Sequence, residues 1–246
     1  MGPLILLLAL LANGEWVDLT WDTALAQDRA AYAGPLETAL DQAVANATGT
    51  LHVKLSHAVR AHVYTRANYA TRFGAARGAY YAAHYRDGMI HINGASNINR
   101  DFVALATHEM VHAVLDQRGR GTAFPAWFNE GIAEWARRRV LGDGPDSASF
   151  GPAPARGFLG NRPTGALPRA RGLTPGQYVL SLAAVTYFVE AHGEPALLEI
   201  VRRVVDGAHF ERAFASAAGE GPDAFERRFR AWAGAADTEP RRLRFK

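Results

Sequence analysis

The pentapeptide at positions 108–112, His-Glu-Met-Val-His, carries residue types that can bind and use a metal ion. On a helix, His108 and His112 would project from the same side, because residues four apart have Cβ atoms about 5–6 Å apart. Each imidazole could then place a ring nitrogen about 2.0–2.1 Å from one zinc ion. Glu109 is turned about 100° around the helix axis, so its carboxylate would lie beside the ion. The pattern predicts two zinc ligands and a general base on one helical turn.

A catalytic zinc ion needs a third protein ligand as well as an open position for water. Glu130 is the candidate, because a helical hairpin would bring its carboxylate to the metal. Glu134 lies four residues further along the same face and could accept the free N–H of a ligating histidine. Gly131 costs about 1 kcal/mol inside a helix, and a close approach between the two motif helices would explain it. The apolar residues around these carboxylates argue against a solvated acidic face.

The two motifs, HEMVH and NEGIAEW, together resemble the gluzincins, the thermolysin-like clan of zinc metallopeptidases. They are most similar to the small bacterial proteins called peptidase MA-like, and the resemblance covers about residues 50–232. It implies one Zn²⁺ held by His108, His112 and Glu130, with Glu109 as the catalytic base and Glu134 behind a ligating histidine.

The resemblance also implies an α+β fold. A small twisted mixed sheet would pack on the active-site helix, and a mainly helical C-terminal subdomain would follow. In the family, the sheet edge next to that helix binds extended substrate, and Met89–Asn93 is assigned to this edge, with an ordinary buried strand as the alternative. Relatives use a later Tyr or His to stabilise the oxyanion. Tyr178 is the first candidate for this catalytic role, with a core position as the alternative, and Tyr187 and His192 are the runners-up.

Other zinc families fit less well. A metzincin would need Gly at position 115 and His at position 118, where this chain has Leu115 and Arg118, and an aspartate-ligand zincin would need Asp in place of Glu130. The prediction is therefore a zinc-dependent peptidase acting on a peptide or protein substrate. A catalytically silent zinc module of the same fold, used in binding or sensing, stays open. An interaction protein without a metal would require both motifs to arise by coincidence. The sequence favours neither endopeptidase nor exopeptidase action, and no oligomeric state.

The amino-acid composition excludes several classes of protein and of site. The chain has 246 residues, of which 48% are hydrophobic, so it can bury a sizeable core. A net charge of +3 is too small to indicate a nucleic-acid partner. The absence of cysteine excludes disulfides, thiolate ligands and a cysteine nucleophile.

The apolar run at 4–12 is far shorter than the roughly 20 residues of a membrane span, so no stable span is predicted. It has the length of a signal-peptide core, and small residues follow at 12–14, although no Lys or Arg precedes it. An export signal would make the protein secreted, periplasmic or part of the cell envelope. A native strand or core segment is the alternative, and would fit a cytoplasmic protein.

The predicted organisation has five parts. They are a signal peptide or N-terminal anchor (1–14), an α/β zinc-binding subdomain with both ligand helices (15–141), a Gly/Pro-rich loop (142–173), a helical C-terminal subdomain (174–236) and a basic tail (237–246). Helices are predicted at 21–48, from Asn99 or Asp101 to Gln117, at 125–141, 174–192, 195–205 and 223–232. Strands are predicted at 51–55, 79–86 and 89–93, the last two joined by an Asp87-Gly88 hairpin turn.

Overall fold

The computed structural model describes residues 16–22, 29–117, 123–142, 166–170 and 172–234. Its elements, in chain order, are β1 (Val17–Trp21), α1 (Arg29–Leu51), β2 (Val59–Tyr64), α2 (Arg66–Phe73), α3 (Ala75–Tyr80), β3 (Ala83–Arg86), β4 (Met89–Asn93), α4 (Arg100–Gln117), α5 (Ala126–Leu141), α6 (Pro175–His192), α7 (Glu194–Val205), α8 (Phe210–Ala218) and α9 (Pro222–Gly234). The predicted α+β class is confirmed, because a small mixed sheet is combined with many helices.

In the part of the chain that the structure describes, the sheet has four strands in the order β1-β2-β4-β3. Strands β1, β2 and β4 are parallel, and β3 runs antiparallel to β4. Alternate residues of the central strands, such as Val63, Ile90 and Ile92, are buried in the same apolar cluster as Met110 of α4. Helix α4 packs against β3 and β4. The sheet therefore supports the helix that carries the HEMVH motif.

The β3–β4 hairpin forms at the predicted turn. Asp87 and Gly88 have φ angles of +52° and +74°, the left-handed values that a tight hairpin turn of this kind requires. The assignment of Met89–Asn93 to the sheet edge is wrong, because β4 lies between β2 and β3. The edge strand beside α4 is β3. β4 becomes the internal strand of the hairpin because it pairs with β2. Since β2 is remote in sequence, the hairpin sequence alone does not indicate this pairing.

Helices α4 and α5 form the predicted helical hairpin. Asn99 caps α4, since its Oδ1 accepts a hydrogen bond from the backbone N–H of Phe102 at 3.0 Å. The guanidinium of Arg100 donates to the carbonyl of Val140 from Nε at 3.1 Å and Nη2 at 2.8 Å. This contact satisfies a carbonyl at the end of α5 and joins it to the start of α4, so the two helices run antiparallel.

Gly131 marks a close helix contact, but with α6 rather than with α4 as predicted. A Cβ atom at this position would lie 2.5 Å from the carbonyl oxygen of Ser181 and 2.5 Å from Cγ2 of Val185. Carbon atoms do not approach this closely without displacing their neighbours, and one of these neighbours is backbone. The glycine therefore allows α5, which carries Glu130, to pack in close contact with α6.

Gly131→Ala is expected to destabilise the protein by about 1–3 kcal/mol, because overpacking against the α6 backbone outweighs the helix propensity gained with alanine. Gly49→Ala is the matched control, since Gly49 is also helical and a Cβ there would meet nothing within 4 Å. It should leave the free energy of unfolding unchanged or raise it by up to about 1 kcal/mol. Urea unfolding of both variants measures the difference, and equal midpoints would contradict the close-contact explanation.

The strand predicted at 51–55 is wrong. Leu51 ends α1, and His52 breaks the helix with a φ of +53°. Val53 and Leu55 alternate with exposed neighbours, as the sequence suggests, but they are buried in an irregular segment that joins no strand. The alternating pattern therefore predicts correctly which residues are buried, but its prediction of a strand is wrong.

Other predicted boundaries also shift. Trp21 ends β1 instead of opening a helix, and α1 starts at Arg29 and continues through Pro35. Of the strand predicted at 79–86, only Ala83–Arg86 forms a strand, because α3 continues to Tyr80. Strands β1 and β2 and helices α2, α3 and α8 were not predicted, whereas α4, α5, α6, α7 and α9 were.

Several predicted segments lie outside the described residues. They are the apolar run at 4–12, most of the loop at 142–173 and the basic tail at 237–246. Within the described ranges, no helix combines the length and apolar character that crossing a membrane requires.

Candidate metal centre

Three ligand atoms meet between α4 and α5. Nε2 of His108 lies 3.1 Å from Nε2 of His112. Oε2 of Glu130 lies 3.4 Å from the first of these nitrogens and 3.2 Å from the second. The three residues predicted from the sequence as metal ligands therefore form a nearly regular triangle.

The triangle has the dimensions of one face of a zinc tetrahedron. Metal–ligand bonds of about 2.0–2.1 Å in tetrahedral geometry separate neighbouring ligand atoms by about 3.3–3.4 Å. The measured separations of 3.1, 3.2 and 3.4 Å come close to this value. Oε2 of Glu130 is also buried without a hydrogen-bond partner among the described residues, a costly state unless a cation lies beside it. Two imidazoles and one carboxylate form a donor set that suits zinc.

Glu109 lies close to the same point but has a different partner. One of its carboxylate oxygens is within 4.8 Å of ligand nitrogens of His108 and His112. However, the Glu109 side chain is buried, and its Oε2 accepts a 2.7 Å hydrogen bond from the backbone N–H of Tyr85. Because Oε2 of Glu130 is unsatisfied and nearly equidistant from both imidazoles, the geometry favours Glu130 as third ligand and Glu109 as a base beside the ion.

Each imidazole has an oxygen atom close to its Nδ1, the ring nitrogen that faces away from the triangle. Nδ1 of His108 lies 3.2 Å from Oε1 of Glu134, close enough for an ion pair but without the angles of a hydrogen bond, and Nδ1 of His112 lies 2.7 Å from Oδ1 of Asn129. A carboxylate or amide oxygen at Nδ1 keeps the proton on that nitrogen and leaves the Nε2 lone pair free for a metal. Arg137 in turn donates to Glu134 at 3.3 Å. These contacts hold both Nε2 atoms toward a common point.

The site is rich in negative charge. Burial alone would lower the pKa of His108, but its contacts with Glu130 and Glu134 outweigh burial and raise that pKa to about 10. Burial opposes ionisation of both carboxyl groups, yet His112 and His108 hold the pKa of Glu130 well below its usual range. His108, with Arg137 and Arg138, lowers the pKa of Glu134 to about 2. With Glu109, three carboxyl groups surround two imidazoles, and a divalent cation would balance this charge.

Tyr178 lies at the site, on the first turns of α6. Its ring centroid is 6.4 Å from that of His108. Burial, together with the negative charge of Glu130 and Glu109, raises the pKa of the phenol above its ordinary value of 10.0. The hydroxyl therefore keeps its proton at neutral pH and can act as a hydrogen-bond donor.

The two runners-up to Tyr178 lie elsewhere. Tyr187 packs against the rings of Phe225 and Trp232 of α9, with centroids 5.6 and 5.1 Å away. His192 contacts Glu220, with Nε2 3.2 Å from Oε1. Of the three candidates, the structure brings only Tyr178 to the histidines.

Sequence reasoning missed two residues of the site. Asn129 directly precedes Glu130, and a search for an acceptor for the second histidine would have found it, because a ligating imidazole needs a partner at its other nitrogen. Tyr85 acts through its backbone N–H and carries no residue-type signal. Its contact with Glu109 depends on β3 being the edge strand.

Asn129→Ala is expected to weaken zinc binding by about 10–100-fold, because His112 would lose the acceptor that fixes its ring and tautomer. Alanine favours helix, so α5 should stay folded. Asn97→Ala, at an exposed position, is the control and should leave the affinity unchanged. Competition with a chromophoric chelator measures both dissociation constants. An affinity equal to that of the wild type would show that Asn129 does not orient the ligand.

The sequence matches no protein-family model and no curated protein.

Proposed function

We propose that this protein is a zinc-dependent peptidase of the gluzincin type. The observation that carries the proposal is the triangle of His108, His112 and Glu130, with the carboxylate of Glu109 beside it and not within it. A purely structural zinc site has no use for a buried base next to the ion, and such sites are closed by four protein ligands. Zinc bound at this triangle would polarise a scissile carbonyl and lower the pKa of water to about 7.

Glu109 would act as the general base and acid. Its carboxylate is buried, and the Tyr85 N–H holds one oxygen at 2.7 Å, which fixes the orientation of the group. Glu109 would accept the proton of the attacking water and later deliver it to the amine that leaves. Proton transfer by a positioned carboxylate typically contributes about 10²–10⁴-fold to the rate.

The substrate would bind as an extra strand on the outer edge of β3. Since the Tyr85 N–H points away from β4 toward Glu109, alternation along the strand directs the backbone of Ala83 outward too. The outward N–H and C=O of Ala83 would pair with an extended peptide. Ala83 is itself buried, so a peptide would reach these groups only after this part of the edge opens. A peptide in this position would pass Glu109, so an extended peptide or unstructured protein segment is the proposed substrate.

Tyr178 would stabilise the oxyanion that develops on the scissile carbonyl. Its phenol is protonated at neutral pH and lies near His108. A preorganised donor aimed at developing charge is more effective in a buried site than in water.

Tyr178→Phe is expected to lower kcat by about 10²–10³-fold with little change in zinc content, because the ring stays and only the donor is lost. Tyr187→Phe on the same helix is the matched control, since its ring packs on α9 away from the histidines. Steady-state kinetics with a peptide that the wild type cleaves measures both. A kcat within twofold of the wild type for Tyr178→Phe would remove this residue from the mechanism.

A mixed peptide library tests the function itself. Zinc-loaded protein should cleave some of its members, a chelator should stop cleavage, and added zinc should restore it. One bound zinc with no cleavage would instead favour the silent binding or sensing module.

A further inference from the structure

We propose that Tyr85 and Asp116 form a positioning pair that sets the general base Glu109 against the edge of the sheet. The inference rests on the proposed function for its kinetic consequence, but the pair itself is a structural claim. Neither residue belongs to the two sequence motifs, and neither is a metal ligand or a proton carrier.

Tyr85 makes two hydrogen bonds to side chains of α4. Its backbone N–H donates to Oε2 of Glu109, and its phenol donates to Oδ2 of Asp116, each at 2.7 Å. Glu109 and Asp116 are seven residues apart, so they lie on the same side of α4 about 10.5 Å apart along the axis. One residue therefore spans two turns of the helix that carries the metal-site histidines.

The hydrogen bond between the Tyr85 phenol and Asp116 positions the hydrogen bond between the Tyr85 N–H and Glu109. Strand β3 has four residues, and among the described strands it pairs with β4 alone. Short edge strands are among the elements that open locally at low free-energy cost. The hydrogen bond from the Tyr85 phenol to Asp116 fixes β3 along α4, so that the Tyr85 N–H stays in line with Glu109. Both acceptors are carboxylates, which makes the two hydrogen bonds stronger than bonds between neutral groups.

Substrate binding and base orientation would then share one strand. Ala83, whose backbone would pair with the peptide, lies two residues before Tyr85 on the same edge of β3. A peptide added to this edge would order the strand, and with it the N–H that orients Glu109. Loss of the pair should therefore lower kcat by releasing Glu109, and raise KM by loosening the strand that binds the peptide.

Kinetics of four variants test the role. Tyr85→Phe and Asp116→Ala should each lower kcat by roughly 10–100-fold, because a misplaced catalytic group costs rate, and should raise KM as well. Asp116→Asn keeps an acceptor oxygen and should retain most of the activity. The double variant Tyr85→Phe with Asp116→Ala should be no slower than either single variant, because both remove the same contact.

Tyr32→Phe is the matched control for loss of a partly buried hydroxyl. Its phenol donates to the carbonyl of Ser96 at 3.1 Å and so makes a contact that involves neither Glu109 nor β3. It should leave kcat unchanged, and all variants should keep their zinc.

An NMR measurement makes the test independent of activity. The backbone amide proton of Tyr85 should resonate far downfield in the wild type, because it donates a short hydrogen bond to a carboxylate. It should move upfield and exchange faster with solvent in Tyr85→Phe and Asp116→Ala, but not in Asp116→Asn or Tyr32→Phe. An unchanged Tyr85 amide, or a changed amide with unchanged kcat, would overturn the proposal. If the zinc-loaded wild type cleaves nothing, the proposed function fails, while the amide signals still decide whether the pair holds Glu109.

Discussion

Glu109→Gln is expected to lower kcat by about 10²–10⁴-fold while the protein keeps its zinc. Glutamine has the size of glutamate, and its side-chain oxygen can still accept the N–H of Tyr85 that binds Glu109 at 2.7 Å. What is lost is the ability to take a proton from water. The metal should remain, because the favoured ligands are His108, His112 and Glu130.

The comparison requires zinc content and kinetics on the same samples. Glu37→Gln, which changes an exposed glutamate on α1, is the matched control and should retain both zinc and activity. A Glu109→Gln variant with wild-type kcat would exclude Glu109 as the base. A variant that lost its zinc would show instead that Glu109 is a ligand.

Glu130→Ala is expected to abolish both zinc retention and hydrolysis. Its Oε2 lies within 3.4 Å of both imidazole nitrogens, so the substitution removes one corner of the triangle and the negative charge that helps to hold a cation. Two histidines alone leave the ion exposed to water and to competing chelators. The loss of affinity should exceed the roughly 10–100-fold expected for Asn129→Ala, which removes only an outer contact.

Glu37→Ala serves as the control for this second change, because it removes a glutamate from an exposed helical position. Dialysis against a weak chelator, followed by elemental analysis, measures retained zinc in each protein. Full zinc in Glu130→Ala would remove that residue from the ligand set and leave Glu109 as the alternative third ligand.

The helices of the site could be predicted from local chemistry. Asn99 caps α4 through a hydrogen bond to the N–H of Phe102, and Gly142 ends α5 with a φ of +76°. Such signals lie within a few residues of the boundary that they set. The spacing of His108 and His112 on one helix face is equally local, and for this reason the amino-acid sequence alone indicates both candidate ligands.

The sheet could not be predicted in the same way. Strand β2 pairs with β1 and β4, and both pairings join segments far apart in sequence. Local alternation in the chain therefore pointed to residues 51–55, where Val53 and Leu55 are buried but unpaired. The order of strands in the sheet also decides which strand faces a substrate, so β3 replaces β4 in that role.

Residues that act through the backbone escape prediction for a related reason. Tyr85 contributes an N–H to Glu109, and every residue except proline has one. The glycine at 131 indicates that another helix approaches closely, but the motif does not indicate which helix. The partner is Ser181 on α6.

The most direct test of the metal centre is the zinc content of freshly purified protein, measured by elemental analysis on the wild type beside His112→Ala. Neither sample should meet a chelator before the measurement. The geometry predicts one zinc ion per wild-type chain and none in the variant. A wild type without zinc, or a variant that holds as much zinc as the wild type, would contradict the assignment of this site.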